Sequence, residues 1–279
     1  MKIFNKKIGL ALGGGGAKGL AHIGVLKYLE EKNISIDYVA GTSIGAIIGA
    51  LYCLGHKASE IEKIAKTTDF KKLFDPTLPK KGLIKGEKVE LYLRHLFENK
   101  KFSELKKPLY IIASDLTNFQ EVIFKEGDLT KAVRASISIP GIFHPVINKK
   151  TILVDGGLVN NLPIKTLKNK ADFIIAVNLE GKELKKEKFQ TAEIKNETIE
   201  IPNIFETLIN SYLIAEANQL KEIIKGSKNT IILSPDLEKT RTYSFNKIDE
   251  TIKKGYEIAK QNKRRLKKLK KKRWFLKNQ

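Results

Sequence analysis

Cysteine occurs once in these 279 residues, at position 53, so no intrachain disulfide can staple the chain. A lone thiol inside an apolar segment reads as a small core residue, and the expected compartment is the reducing cytoplasm. Long hydrophobic runs are missing too. The longest, 44–54, is too short and too glycine-rich for the roughly 20 apolar residues that span a bilayer. The first twelve residues are basic with only a brief apolar stretch, which does not make a signal peptide. Acidic residues are scarce: 31 Asp and Glu stand against 52 Lys and Arg, a net charge of +21. Histidine is the most informative shortage. His22, His56, His95 and His144 are the only four, and all precede residue 155. A hydrolase of α/β-hydrolase order runs Ser, acid, His along the chain. With Asp155 as the acid that order is excluded, and His144 would serve as a base only with an acid placed elsewhere. Each histidine therefore reads as a packing or surface residue.

What is present centres on Ser43, within Gly41-Thr42-Ser43-Ile44-Gly45. A β-rich run precedes this GxSxG pentapeptide and an apolar helical run follows it. Strand, tight turn and helix make a nucleophile elbow, which lifts a serine hydroxyl off a sheet at a helix N-terminus. The plainer alternative is a serine that only caps the helix. Asp155 ends the β-branched run 151–154 and is followed by Gly156-Gly157. An acid at the C-terminal end of a strand faces the crevice where α/β sheets carry their sites. An ordinary Asp-Gly turn would look the same.

A third block, Gly13-Gly14-Gly15-Gly16-Ala17-Lys18-Gly19, lies between the strand 7–12 and the helix 20–29. Glycines at such a junction expose backbone N–H groups beside a helix N-terminus, where negative charge is favoured. A phosphate fits there, and so does the oxyanion of a tetrahedral intermediate. The letters match GxGxxG at Gly14, Gly16 and Gly19, but the ribose-binding acid should end the second strand, and Asp37 begins it. A P-loop fails as well, because Lys18 precedes Gly19 and no Ser or Thr follows.

Taken in order, Gly14–Gly19, Gly41–Gly45 and Asp155–Gly157 resemble the patatin-like phospholipase family, with its GGGxRG or GGGxKG loop, GxSxG and DGG or DGA. The stretch 135–146 is similar to the family's segment ahead of its aspartate. The resemblance covers roughly 7–168. It implies a three-layer α/β/α patatin-like fold with a mainly parallel central sheet. It implies a Ser-Asp dyad acting on lipid acyl esters without metal or cofactor, with Ser43 as nucleophile and Asp155 as proton acceptor. The loop residues Gly14, Gly15, Gly16, Lys18 and Gly19 would form the oxyanion hole, with Gly41, Gly45, Gly156 and Gly157 in support. Lys18 stands where many members carry Arg. A nucleotide-phosphate-binding protein and a lipid-binding protein with little turnover remain as alternatives.

The length suits one α/β domain. We expect a catalytic core at 7–168, strands and helices completing the same domain at 169–259, and a basic tail at 260–279. Amphipathic helices are predicted at 60–67 and 87–97 as a cap. Strands are predicted at 108–114, 121–124, 172–177 and 230–233, a polar flexible loop at 180–200, and a long helix at 203–225. Phe205, Leu208, Ile209, Tyr212 and Leu213 form that helix's apolar stripe, read as core. From Lys260 onward there are eleven basic residues and no acid, with Leu266, Leu269, Trp274, Phe275 and Leu276 interleaved. Residues 260–277 are thus a candidate for peripheral contact with an anionic membrane, at the inner membrane surface, or else a solvated terminus. Nucleic acid is disfavoured, since no recognition module accompanies the charge.

Overall fold

The structure is a computed structural model that describes residues 6–78, 82–180, 190–194, 197–201, 204–225, 229–237, 240 and 245–269. β1 (Ile8–Leu12) is buried along its whole length, as a central parallel strand covered on both faces requires. The glycine loop leads from it into α1 (Ala21–Glu31). β2 (Tyr38–Thr42) passes through the single residue Ser43 into α2 (Ile44–Leu54). The two predicted cap helices are α3 (Ala58–Thr67) and α4 (Glu87–Leu96), each burying a narrow apolar stripe. Two hairpins follow. β3 (Leu109–Asp115) pairs with β4 (Gln120–Phe124), and beyond α5 (Leu129–Ser136) β5 (Val146–Asn148) pairs with β6 (Thr151–Asp155). Short helices α6 (Gly157–Asn160) and α7 (Ile164–Leu167) lead to β7 (Phe173–Val177). The remainder comprises β8 (Gln190–Ile194), β9 (Glu197–Ile201), α8 (Ile204–Lys225), β10 (Thr230–Leu233), α9 (Ile248–Gln261) and α10 (Lys263–Lys267).

Hydrogen-bonded neighbours in the eight-stranded sheet run β10-β7-β1-β2-β3-β6-β5, with β4 also on β3. β10, β7, β1, β2 and β3 are parallel, while β4, β5 and β6 join antiparallel. Side chains alternate between two cores. Leu10 and Leu12 point into the larger one with α1 and α2, and Ala11 into a second with Leu162, Ile164, Leu167 and Ile223. Helices on both faces of a mainly parallel sheet give three α/β/α layers.

The register of β3 decides where the site falls. Ala113, Ser114 and Asp115 pair with both β4 and β6, so those two strands occupy opposite edges of β3. Ile111 and Ile112 pair with both β2 and β4, so β2 lies on the same edge as β6. β2 and β6 therefore run toward each other along one edge. Thr42 pairs with Ile112 and Asp155 with the next residue, Ala113.

Three expectations change. Part of the stretch expected as a loop, 180–200, forms the antiparallel hairpin β8–β9, whose Thr198-Ile199-Glu200-Ile201 alternates polar and apolar residues. Leu208, read as core, is 53% exposed on α8; the side chains of Phe205 and Ile209 lie outside those described. The opening of the basic tail belongs to the packed fold: Leu266 is fully buried and Leu269 nearly so, both in the larger core. The rest of the tail, including Trp274-Phe275-Leu276, lies outside the described residues.

Candidate active site

Ser43 is the whole connection between β2 and α2, and its backbone shows the consequence. Its φ is 53° and its ψ −126°, on the side of conformational space that L-residues avoid. The turn closes because Gly41 and Gly45 lack side chains. A Cβ on Gly41 would strike the backbone of Gly45, and one on Gly45 the backbone of Leu12. The Ser43 N–H donates to Ser136 Oγ at 2.9 Å. Although Ser43 occupies the N-cap position of α2, its side chain makes no capping hydrogen bond. The capping alternative is thereby removed, and the hydroxyl is left for another use.

Asp155 meets Ser43 because β6 ends where β2 ends. Its side chain is fully buried. Oδ1 accepts from the Gly157 N–H at 2.8 Å and from the Tyr212 hydroxyl at 3.1 Å. Oδ2 is buried with no hydrogen bond of full geometry, although the Ser43 hydroxyl is close enough to favour the ionised carboxylate. Burial pushes the carboxyl up to about 6, against the opposing pull of Ser43, Gly157 and Tyr212. Gly156 lets the chain turn here, since a Cβ on it would strike the Ile112 carbonyl.

The glycine loop wraps the same spot. Gly14 lies against Ser43: a Cβ on it would stand 3.2 Å from that of Ser43 and would collide with the Asn161 side chain. Its amide is occupied, donating to Asn161 O and Oδ1, both at 3.1 Å. Gly15 (φ 146°) and Gly16 (φ 55°) adopt left-handed conformations that favour glycine, and among the described residues their N–H groups have no partner. Gly19 allows close contact with Ile44. Lys18 points to Glu180, an ion pair of 3.3 Å with both side chains largely buried. Beneath the loop, buried His22 donates Nε2–H to Gly13 O at 2.8 Å, and burial drives its pKa down to about 4. It is a neutral brace. Asp37, the misplaced ribose candidate, bonds the Ile8 N–H at 2.8 Å.

An apolar cavity of about 190 Å³ adjoins this cluster. Gly16 and Ser43 form part of its wall. The rest comes from α2 (Ile47, Leu51), the cap helices (Ile64, Leu93) and the segment after α5 (Ile142, Phe143). Among the described residues, no hydrogen bond joins a histidine to Ser43 or Asp155.

Tyr212 is the site residue that the sequence reading did not find. It sits 57 positions beyond Asp155, within an apolar stripe. Its signal was chemical: a tyrosine on a stripe read as core needs a partner for its hydroxyl.

A strained serine turn, a buried carboxylate and a glycine loop come together at one end of the three-layer sheet, and this is the candidate site. The comparisons with known proteins specify it further. The family model for patatin-like phospholipases matches residues 10–168. An NTE family protein of Mycobacterium tuberculosis is 32% identical over 277 residues, covering 93% of this chain and 47% of that protein. Patatin-like phospholipase domain-containing protein 6 of Homo sapiens is 30% identical over 274 residues, covering 91% of this chain and 20% of that one. The crystal structure of VipD from Legionella pneumophila superposes with a TM-score of 0.59 at 14% identity, covering 94% of this chain and 66% of that one. The chain belongs to the patatin-like phospholipase family. It spans less than half the length of the two relatives compared by sequence.

Proposed function

We propose that the chain hydrolyses fatty acyl esters of lipids, as a phospholipase A or lysophospholipase, through a Ser43–Asp155 dyad. The observation that carries this is the meeting of Ser43 with the buried Asp155 carboxylate beside an apolar cavity suited to an acyl chain. In the first step Ser43 Oγ attacks the ester carbonyl while Asp155 Oδ2 takes its proton. With a pKa near 6 the carboxylate is ionised at neutral pH and more basic than an exposed aspartate. The oxyanion falls to the Gly15 and Gly16 amides, since Gly14 is occupied, and each donor lowers the barrier by about 3 kcal/mol. Asp155 then hands the proton to the leaving alcohol. Water releases the acyl group from Ser43 by the same path.

The nucleotide alternative finds less support. Lys18 is neutralised by Glu180, and the adjoining cavity is apolar where a nucleotide would need polar partners. Peripheral membrane contact through 260–277 is part of the proposal. Among the described residues, no helix is long and apolar enough to cross a membrane.

A fluorophosphonate probe should label the wild-type chain and Asp155→Asn more weakly, but not Ser43→Ala. Esterase turnover should vanish in Ser43→Ala and fall about 10²–10⁴-fold in Asp155→Asn, with circular dichroism unchanged. Saturable ATP or NAD binding in an unlabelled chain would support the nucleotide reading. Lipid binding without label or turnover would support a carrier.

A further inference from the structure

The β3–β4 and β5–β6 hairpins carry large apolar residues that stand exposed to solvent. Phe119, at the first tip, is 91% exposed; Ile147 is 76% exposed, and Leu116 and Ile152 are each 43% exposed. Ile147 and Ile152 are direct cross-strand partners, so both side chains stand on one face of their hairpin. Lys149 and Lys150 form the turn between those strands, both exposed and without an acidic partner among the described residues.

The two tips form one braced platform. The Leu116 N–H donates to Ile152 O at 2.8 Å, and the Ile152 N–H to Thr117 Oγ1 at 3.0 Å. Asp115 holds the loop that presents Phe119, accepting from the Thr117 N–H at 2.8 Å and from Asn118 Nδ2 at 2.7 Å. A loop so fixed, ending in an exposed phenylalanine, is not adapted to water.

Its position follows from the strand register. Asp155 pairs with Ala113, and Ser43 follows the residue that pairs with Ile112. From that level β6 extends back four residues to Thr151, about 13 Å at the usual rise per residue. Both turns therefore project past the end of the parallel strands that bears Ser43 and Asp155.

We infer that these tips are a docking surface for an anionic bilayer: Phe119, Leu116 and the Ile147–Ile152 pair enter the interface, and Lys149 and Lys150 meet lipid headgroup phosphates. Charge complementarity selects this occupant, since the apolar residues flank two cations with no acidic partner among the described residues, on a chain of net charge +21. A bilayer also rests on the lipid-ester reading, because it would present the proposed substrate at the edge carrying the dyad. None of the six residues belongs to the proposed catalytic machinery.

The test reads contact directly and without turnover. The chain has a single tryptophan, Trp274, so Phe119→Trp in a Trp274→Phe, Ser43→Ala background places one fluorophore at the tip. Vesicles of phosphatidylcholine with phosphatidylglycerol should shift its emission to the blue, and brominated lipid should quench it. Adding Lys149→Glu and Lys150→Glu should raise the vesicle concentration for half-maximal response at least ten-fold. In the otherwise unaltered chain, Phe119→Asp should slow turnover of vesicle substrate and leave a short soluble ester unaffected. No spectral response to vesicles would overturn the inference. So would a blue shift that needs no vesicles and grows with protein concentration, which would assign the surface to a second copy. A normal vesicle response in the fluorescence test, with no esterase activity in the otherwise unaltered chain, would instead refute the hydrolase reading and leave the docking surface standing.

Discussion

Oδ1 of Asp155 is held by the Gly157 amide and the Tyr212 hydroxyl, so in the proposed dyad Oδ2 is the oxygen that receives the proton from Ser43. Tyr212 thus acts in two ways. It fixes the carboxylate plane, and it stabilises the ionised form against the burial that raises the pKa to about 6. The sign of its removal follows. As the proposed base, Asp155 works only when ionised, so kcat/KM should fall as pH drops through about 6. Tyr212→Phe deletes a donor that favours the carboxylate, so the pKa rises and the acid limb moves to higher pH. A hydrogen bond to a charged group is worth about 1.5–3 kcal/mol, which corresponds to a displacement of about one to two pH units. A pH–rate profile on a soluble ester checks this, with circular dichroism to confirm folding. An unmoved limb would detach Tyr212 from the reaction. A simple packing role would lower activity equally at every pH.

Elements meet most closely where α1 crosses α9. A Cβ on Gly24 would collide with the Ile252 carbonyl, and one on Gly255 with the Ala21 carbonyl. Tyr28 and Tyr256 pack edge to face beside the crossing, with ring centroids 5.5 Å apart. Backbone cannot yield as a side chain can, so Gly255→Val should destabilise by at least the upper end of the usual overpacking cost, about 3 kcal/mol. Calorimetry should then show a melting temperature lowered by about 6 °C or more. An unchanged temperature would mean that the helices do not cross at these glycines. Nothing in the sequence announced this contact, because a glycine that permits close approach looks the same as one that permits a turn. The parallel strands were legible for the opposite reason. Runs such as Ile8–Leu12 and Thr230–Leu233 are short and mostly apolar, and their length and the turn residues that follow them mark them as strands. Ser43 and Asp155 were legible as local motifs, each beside its own glycines. Their meeting depends on β2 and β6 sharing one edge of β3, a long-range pairing with no local signature. Tyr212 was hidden for the same reason, since its hydroxyl partner lies on a distant strand. The β8–β9 hairpin was masked by polar residues that also suit a loop.

For the molecule as a whole, the basic C-terminal region divides at Leu269. Up to that point it is structural: α10 packs through Leu266, and Leu269 joins the same core, although Arg264, Arg265, Lys267 and Lys268 surround them in sequence. A structural role and the proposed membrane contact therefore share one run of charge, and truncation at two places separates them. Ending the chain after Gln261 removes both leucines. Emptying a buried leucine site costs about 2–5 kcal/mol, and a domain holds only about 5–15 kcal/mol in total. That truncation should lower the denaturation midpoint and cut turnover of soluble and vesicle esters alike. Ending the chain after Leu269 keeps every described core residue and removes Lys270, Lys271, Lys272, Arg273 and Lys277 with Trp274-Phe275-Leu276. Stability and soluble-ester turnover should then be unchanged. Each basic residue near an anionic surface contributes up to about 1 kcal/mol, so at low salt this chain should bind anionic vesicles at least ten-fold more weakly. The difference should shrink in about 0.5 M salt, where screening shortens the reach of charge. Vesicle flotation with both truncations, beside urea unfolding of each, measures the two effects separately. Equal vesicle affinity in the chain ending at Leu269 and the full chain would leave the region past Leu269 without a part in membrane contact.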